Sequence, residues 1–148
     1  MRGDIETPWA GRAKEYSWSL CLGMAPRKIT PTDIDYVCEC NKKFAFFEMK
    51  TAGSTIPRGQ ELMFLRLLEK LGQSAVLFVV EHSMLEKVTV PVDVIRFHCC
   101  RVQNGRWARS AFLPGDKFAE AYAAFFKWAE TGNFSLMRNA LREGQKAA

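Results

Sequence analysis

The run DIDYVCECNKKFAFFEMK, residues 33–50, is the most regularly patterned part of this 148-residue chain. Apolar and polar side chains alternate along both halves, which is typical of β-strands, and Asn41-Lys42 between them suits a two-residue turn. The pattern therefore predicts a hairpin. In the register that this turn sets, Asp35 lies directly opposite Glu48, with Cβ atoms ~5 Å apart.

The two faces of this hairpin differ in chemistry. Because successive side chains of a strand point to opposite faces, Asp33 and Asp35 share one face with Glu48 and Lys50. The other face carries Ile34, Tyr36, Cys38, Phe47 and Met49. Three carboxylates and one lysine are thus expected together at one end of an otherwise apolar hairpin.

Opposed like charges destabilise a pair of strands unless something positive lies between them. A hard divalent cation suits that position, because magnesium binds one or two carboxylates and keeps several waters. Lys50, on the same face as Glu48, could orient a hydroxide that attacks phosphorus. The group has the parts for phosphodiester hydrolysis; the alternative is a solvated strand end in which Lys50 only neutralises the acids.

The rest of the chain predicts one α/β domain, residues 1–148, in which a mixed central sheet is flanked by helices. A helical pattern over 57–71 precedes the continuous apolar run 74–81, and a crossover helix before such a strand implies parallel pairing with the hairpin. Further strands are expected over 88–102 and 106–112, and further helices over 10–22, 119–130 and 135–143.

The composition excludes several classes of protein. With 48% hydrophobic residues and a net charge of only +5, the chain is too apolar and too weakly charged to be disordered. No run approaches the ~18 apolar residues that span a bilayer, and the acidic start is unlike a signal peptide. A cytoplasmic protein without membrane contact is expected, in the host cytoplasm if a phage encodes it. Five cysteines without a CxxC pair predict neither a zinc site nor a disulfide framework.

The positive charge lies in the last third of the chain. Residues 1–95 carry 12 basic and 12 acidic residues, so the whole excess falls in 96–148. This asymmetry raises the possibility of a polyanionic partner, whose backbone would be contacted with little sequence information. The basic residues that could track it are Arg58, Arg96, Arg101, Arg106, Arg109, Lys117 and Lys127.

The spacing of the acidic and basic residues resembles that of the PD-(D/E)XK nuclease superfamily, which has the restriction-endonuclease-like fold. The family's motif aspartate matches the run TDID, residues 32–35, and its (D/E)XK triplet matches Glu48-Met49-Lys50. The resemblance covers about residues 15–82 and leaves a basic C-terminal extension over about 88–148. It implies an αβββαβ core followed by C-terminal strands and helices.

The resemblance also implies roles for individual residues. Asp35 and Glu48 match the metal ligands, with the backbone carbonyl of Met49 as a third. Lys50 matches the catalytic lysine. Gln60 matches a glutamine that reaches the attacking water or the phosphate, although an exposed residue of the first helical turn is an equal alternative.

Two acidic positions are less closely matched. The family proline directly precedes its aspartate, whereas Pro31 stands two residues before Asp33 and four before Asp35, so the choice of aspartate is open. The hairpin register favours Asp35, with Asp33 as a second ligand or an outer partner. Glu15 resembles the N-terminal acidic residue of some members.

The function that the resemblance implies is that of a magnesium-dependent deoxyribonuclease, with manganese able to substitute, of phage or of DNA repair and recombination. Because no sequence-reading motif is present, structure- or end-directed cleavage of double-stranded or branched DNA is expected. Cutting both strands would require two sites, hence a homodimer. The alternative is a catalytically inactive nuclease-fold module that binds nucleic acid or a protein partner.

Overall fold

The computed structural model describes residue 24, residues 31–83 and residues 87–143. The chain divides into two compact units, Met1–Asp33 and Ile34–Ala148, and the fold below is that of the second. The helix expected over 10–22 and Glu15 lie outside the described residues. The strands and helices follow the order β1 (Tyr36–Cys40), β2 (Lys43–Thr51), α1 (Arg58–Leu71), β3 (Ala75–His82), β4 (Val94–Gln103), β5 (Arg106–Arg109), β6 (Leu113–Pro114), α2 (Phe118–Thr131) and α3 (Ser135–Ala140).

The predicted hairpin is confirmed. β1 and β2 are antiparallel in the expected register, beginning with Tyr36 opposite Phe47. Both turn residues are left-handed, Asn41 with φ 48° and Lys42 with φ 63°, as a two-residue type I′ turn requires. The Lys42 N–H donates to Glu39 Oε1 at 2.7 Å, which closes the turn.

The sheet is mixed, as predicted. Its strands lie in the order β1-β2-β3-β4-β5, with β6 also paired to β4. Among the strands of the described residues, only β2 and β3 are parallel, and α1 is the crossover between them. Helix α1 begins after Pro57, whose φ of −57° suits a helix start, and ends at Gly72, whose φ of 60° favours glycine. No helix among the described residues is long and apolar enough to cross a membrane.

Each face of the sheet is covered by helix, so the core has two layers. On one face, α1 packs Phe64 and Leu68 onto Phe46 and Leu77 of β2 and β3. On the other face, α2 and α3 cover an aromatic cluster in which the Phe47 and Phe78 rings stack at 5.3 Å. Because neighbouring strand residues face opposite layers, Phe46 and Phe47 belong to different clusters.

Four local predictions are wrong. Residues 88–93 form no strand, because the Thr89 N–H donates to Asp93 Oδ2 at 2.8 Å and a turn closes just before β4. β5 ends at Arg109 rather than at residue 112, and α3 ends at Ala140 rather than at 143. Ile34 packs against the α1-side cluster, not on the opposite face. Ile34 precedes Tyr36, the first residue of the β1–β2 ladder, so the alternation of a regular strand does not determine which face Ile34 occupies.

Candidate active site

Charged side chains collect on the α1 face of the sheet, at the carboxyl ends of the parallel strands β2 and β3. Strand alternation puts Glu48 and Lys50 on the same face as Phe46, which packs against α1. The apolar residues of β2 hold the first part of the strand in the core, and the polar pair follows where α1 begins. Crevices at this end of parallel strands are common ligand sites in α/β folds.

Glu48 is a buried carboxylate that forms an ion pair with Lys50. It is 2% exposed, and its Oε1 lies 2.7 Å from Lys50 Nζ. Its second oxygen, Oε2, is buried without a hydrogen-bond partner among the described residues. Burial raises the pKa of Glu48 and the nearby Asp35 charge raises it further, whereas Lys50 and Gln60 act to lower it. The carboxylate is therefore short of positive charge.

Lys50 is oriented from two sides. Besides its ion pair, its Nζ donates to Gln60 Oε1 at 3.3 Å. Gln60 stands in the first turn of α1 because that helix begins right after Pro57. The structure thus brings together Glu48, Lys50 and Gln60, three of the residues expected in the site. The side chain of Lys50 is 17% exposed.

Asp35 adjoins this group at the open end of the hairpin. The β1–β2 ladder ends one residue short of it, and its Oδ2 accepts the Met49 N–H at 2.7 Å. Because the N–H and C=O of one strand residue point to the same side, the Met49 carbonyl faces the side on which Asp35 lies. Asp33 is exposed and belongs to the other compact unit.

These residues suit a cation that prefers oxygen ligands better than a metal that prefers nitrogen or sulfur ligands. No group of three or more His, Cys, Asp or Glu side chains that could hold a metal occurs in residues 31–83 and 87–143. Magnesium needs fewer, because it binds one or two carboxylates together with waters and substrate phosphate. Glu48 Oε2, which has no hydrogen-bond partner among the residues described, and the exposed Asp35 carboxylate match that need.

Two further polar groups on this face of the sheet, the Glu81–Arg96 pair and His98, were not found from the sequence. The cross-strand register places Lys50 beside Glu81 and Glu81 beside Arg96. The Arg96 Nε and Nη2 donate to the two Glu81 carboxylate oxygens at 2.8 and 3.0 Å, a bidentate pair. Two residues after Arg96 on β4, and therefore on the same face, His98 lies beside Val79. A signal did exist, because Arg96-Phe97-His98 alternates polar and apolar residues and Glu81 ends an apolar run.

His98 is held neutral. It is 8% exposed, and Phe112 contacts its ring edge to face at 4.7 Å. Within residues 31–83 and 87–143, its buried Nδ1 has no hydrogen-bond partner. Burial lowers the pKa of His98 to about 4, and Arg109 and Arg96 lower it as well, against the opposing effect of Glu81. At neutral pH this ring is an uncharged imidazole among charged neighbours.

The five arginines expected to contact nucleic acid do not share one surface. Arg96 and Arg109 lie on the α1 face, since Arg109 pairs with Cys100 of the α1-side cluster. Arg58 opens α1 and pairs with Glu61 at 3.2 Å. Arg101 lies on the opposite face, where it pairs with a carboxylate at 3.0 Å, and Arg106 stands opposite Gln103 at the far end of β4. The structure therefore groups only part of this set near the site.

Comparison of the chain with protein-family models, with curated proteins and with solved structures finds no match.

Proposed function

We propose that this protein is a metal-dependent nuclease that hydrolyses DNA phosphodiester bonds. The observation that carries the proposal is Glu48, a carboxylate buried at 2% exposure with one oxygen on Lys50 and the other without a hydrogen-bond partner in the part of the chain that the structure describes. A fold has no need of such a group, because a neutral side chain of similar shape would avoid the cost of burying charge. Functional sites commonly retain costly groups of this kind.

Each side chain has a separate role in the proposal. Glu48 and Asp35, with the Met49 carbonyl, would hold a magnesium ion. The ion, when bound, supplies positive charge next to the scissile phosphate and an activated water. Manganese, with the same preference for oxygen ligands, would substitute for it.

Lys50 acts on the substrate directly. Its ammonium group, fixed by Glu48 and Gln60, can donate a hydrogen bond to a phosphate oxygen as negative charge grows there during hydrolysis. Because the lysine is already oriented, little reorganisation is required at the moment of reaction. Gln60 is a positioning residue for that ammonium group.

The substrate we propose is DNA that is recognised by structure or by an end rather than by sequence. Arg96 and Arg109 lie on the same face of the sheet as Lys50 and can contact backbone phosphates. Such contacts position the duplex but carry no sequence information. A homodimer would supply the second site needed to cut both strands.

The test is a cleavage assay with the purified protein on linear, nicked, flapped and four-way DNA, with magnesium, manganese or EDTA. We expect metal-dependent cleavage of at least one substrate, and a loss of at least about 100-fold in Glu48→Gln and Lys50→Ala, since catalytic carboxylates and charge-stabilising donors contribute at least this much. Arg138→Ala, at an exposed position of α3 on the opposite face of the sheet, is the matched control for lost positive charge and should retain cleavage.

The competing function is a catalytically inactive module that binds nucleic acid. The Lys50–Glu48 ion pair favours this inactive module, because the lysine already neutralises the buried carboxylate without a metal. It predicts salt-sensitive DNA binding with no cleavage and no response to magnesium. Intact DNA in every reaction, or full activity in Glu48→Gln, would contradict the nuclease proposal.

A further inference from the structure

Arg96 is fixed in place beside the candidate active site. Its bidentate pair with Glu81 sets the plane of the guanidinium group, and its Cζ lies 4.0 Å from the centre of the Phe112 ring. A guanidinium group has five N–H donors, and this pair uses two of them. The side chain is 46% exposed, so the remaining donors can reach a ligand.

Phe112 is an aromatic ring left partly in solvent. It is 46% exposed, although it packs against both Arg96 and His98. The contact with His98 is edge to face, at 79° between the rings, so it does not cover Phe112 as a stacked ring would. Exposed aromatic rings next to positive charge are the elements with which proteins bind single-stranded nucleic acid.

The register gives the distance from these residues to the reacting group. Lys50, Glu81 and Arg96 stand side by side on β2, β3 and β4. Adjacent strands are ~4.8 Å apart, so the backbone of Arg96 lies about 10 Å from that of Lys50. One DNA strand covers about 3.4 Å for each nucleotide, so about three nucleotides span this distance.

We propose that Arg96 and Phe112 form a shelf for one unpaired nucleotide of the substrate, with its phosphate on the guanidinium group and its base on the ring. This inference rests on the proposed nuclease function and narrows its substrate class to DNA that carries an unpaired nucleotide about three nucleotides from the cleaved bond. In duplex DNA the base is stacked and paired, so it cannot reach the ring. Every base has a π-face, so the shelf selects for an unpaired base without reading sequence.

The structural alternative is that Arg96 only neutralises the buried Glu81 carboxylate and that Phe112 only covers Arg96. In that case, changes at Phe112 would alter stability but not the preference among DNA structures. Phe112→Leu tests this point without disturbing the ion pair, because leucine keeps an apolar side chain over Arg96 and removes the π-face.

The experiment compares kcat/KM on a plain duplex and on the same duplex with one unpaired arm, both with magnesium. We expect the wild-type protein to cut the armed substrate at least about 10-fold better. Phe112→Leu should lower activity on that substrate by about 5- to 100-fold, the range measured for a lost base–aromatic contact, and leave the duplex nearly unchanged. Tyr122→Leu is the matched control, since Tyr122 is a similarly exposed ring, at 40%, on the opposite face of the sheet.

Arg96→Lys gives an independent readout. Lysine keeps the charge but loses the planar fork, so KM for the armed substrate should rise with little change in kcat. Arg138→Lys, at an exposed position of α3 on the opposite face of the sheet, should leave KM unchanged.

Several results would overturn the shelf. These are equal cleavage of both substrates by the wild-type protein, an equal effect of Phe112→Leu on both, or the same effect from Tyr122→Leu.

If the wild-type protein cuts no DNA, the nuclease proposal fails and the shelf is tested by binding instead. A fluorescent single-stranded oligonucleotide should then bind more weakly to Phe112→Leu than to the wild-type protein. Unchanged binding would overturn the shelf as well, so the two failures remain distinguishable.

Discussion

Removing either half of the Glu48–Lys50 ion pair should affect stability unequally, because the two side chains are not equally buried. The carboxylate side chain is 3% exposed and the lysine side chain 17% exposed. Lys50→Met leaves a buried carboxylate without its cation. Glu48→Gln leaves only a partly exposed ammonium group, which can turn toward water.

The magnitudes follow from this asymmetry. Removing one partner of a buried ion pair costs about 3–5 kcal/mol, and we expect the lower end for Lys50→Met because Glu48 can take up a proton instead. A loss of about 3 kcal/mol lowers the Tm of a domain of this size by about 10 °C. Glu48→Gln should change stability by less than about 1 kcal/mol, since an uncharged side chain replaces a carboxyl whose charged form is disfavoured.

The pH dependence provides a second test of the same reasoning. A carboxyl whose pKa is raised on folding stabilises the folded state at low pH. This contribution is lost as the pH rises from 4.5, the ordinary pKa of a glutamate, through the higher pKa of the folded state. The deficit of Lys50→Met should therefore be larger at pH 8 than at pH 4, where Glu48 is protonated in either state. Urea unfolding at both pH values measures it. Equal destabilisation by Glu48→Gln and Lys50→Met, or a deficit independent of pH, would refute the argument.

Three further variants test other parts of the structure. The pKa of His98 falls from 6.5 to about 4 on folding. The wild-type protein should therefore lose up to about 3 kcal/mol of unfolding free energy as the pH drops from 6.5 to 4. His98→Gln should flatten that part of the plot of unfolding free energy against pH. A Cβ at Gly115 would stand 1.7 Å from the Val94 carbonyl oxygen, so Gly115→Ala should lower the unfolding free energy by more than about 2 kcal/mol. Gly59→Ala is its control, because no described heavy atom lies within 4 Å of a Cβ at that position. This substitution should raise the stability of α1 by up to about 1 kcal/mol. Equal effects of the two substitutions would contradict the packing at Gly115. Phe78→Ala should cost about 3–5 kcal/mol in the same urea assay, since Phe78 is fully buried in the aromatic cluster, and a loss below 1 kcal/mol would contradict that burial.

The parts of the fold that the sequence predicted are those set by local signals. The hairpin register follows from a two-residue turn, and the ends of α1 follow from Pro57 and Gly72. The apolar run 74–81 predicted a strand covered on both faces. These signals also placed Glu48 and Lys50 on one face, with Gln60 at the start of the next helix.

The neighbours of that pair could not be predicted, because they come from strands distant in sequence. Arg96 reaches Glu81 only because β4 pairs with β3, in a register interrupted by a bulge between Glu81 and His82. No local pattern sets such a register. Strand alternation does predict that Arg96 and Arg101, five residues apart, face opposite layers. A regular β4 strand therefore cannot present both arginines on one face.

The central claim is that Asp35 and Glu48 hold a divalent cation beside Lys50. The most direct measurement is the anomalous diffraction of a crystal soaked in manganese. The account predicts a peak at about 2.2 Å from a Glu48 carboxylate oxygen, with Asp35 or the Met49 carbonyl among the other oxygen ligands. A fully soaked crystal with no peak at Glu48, or with manganese bound only at other residues, would contradict it.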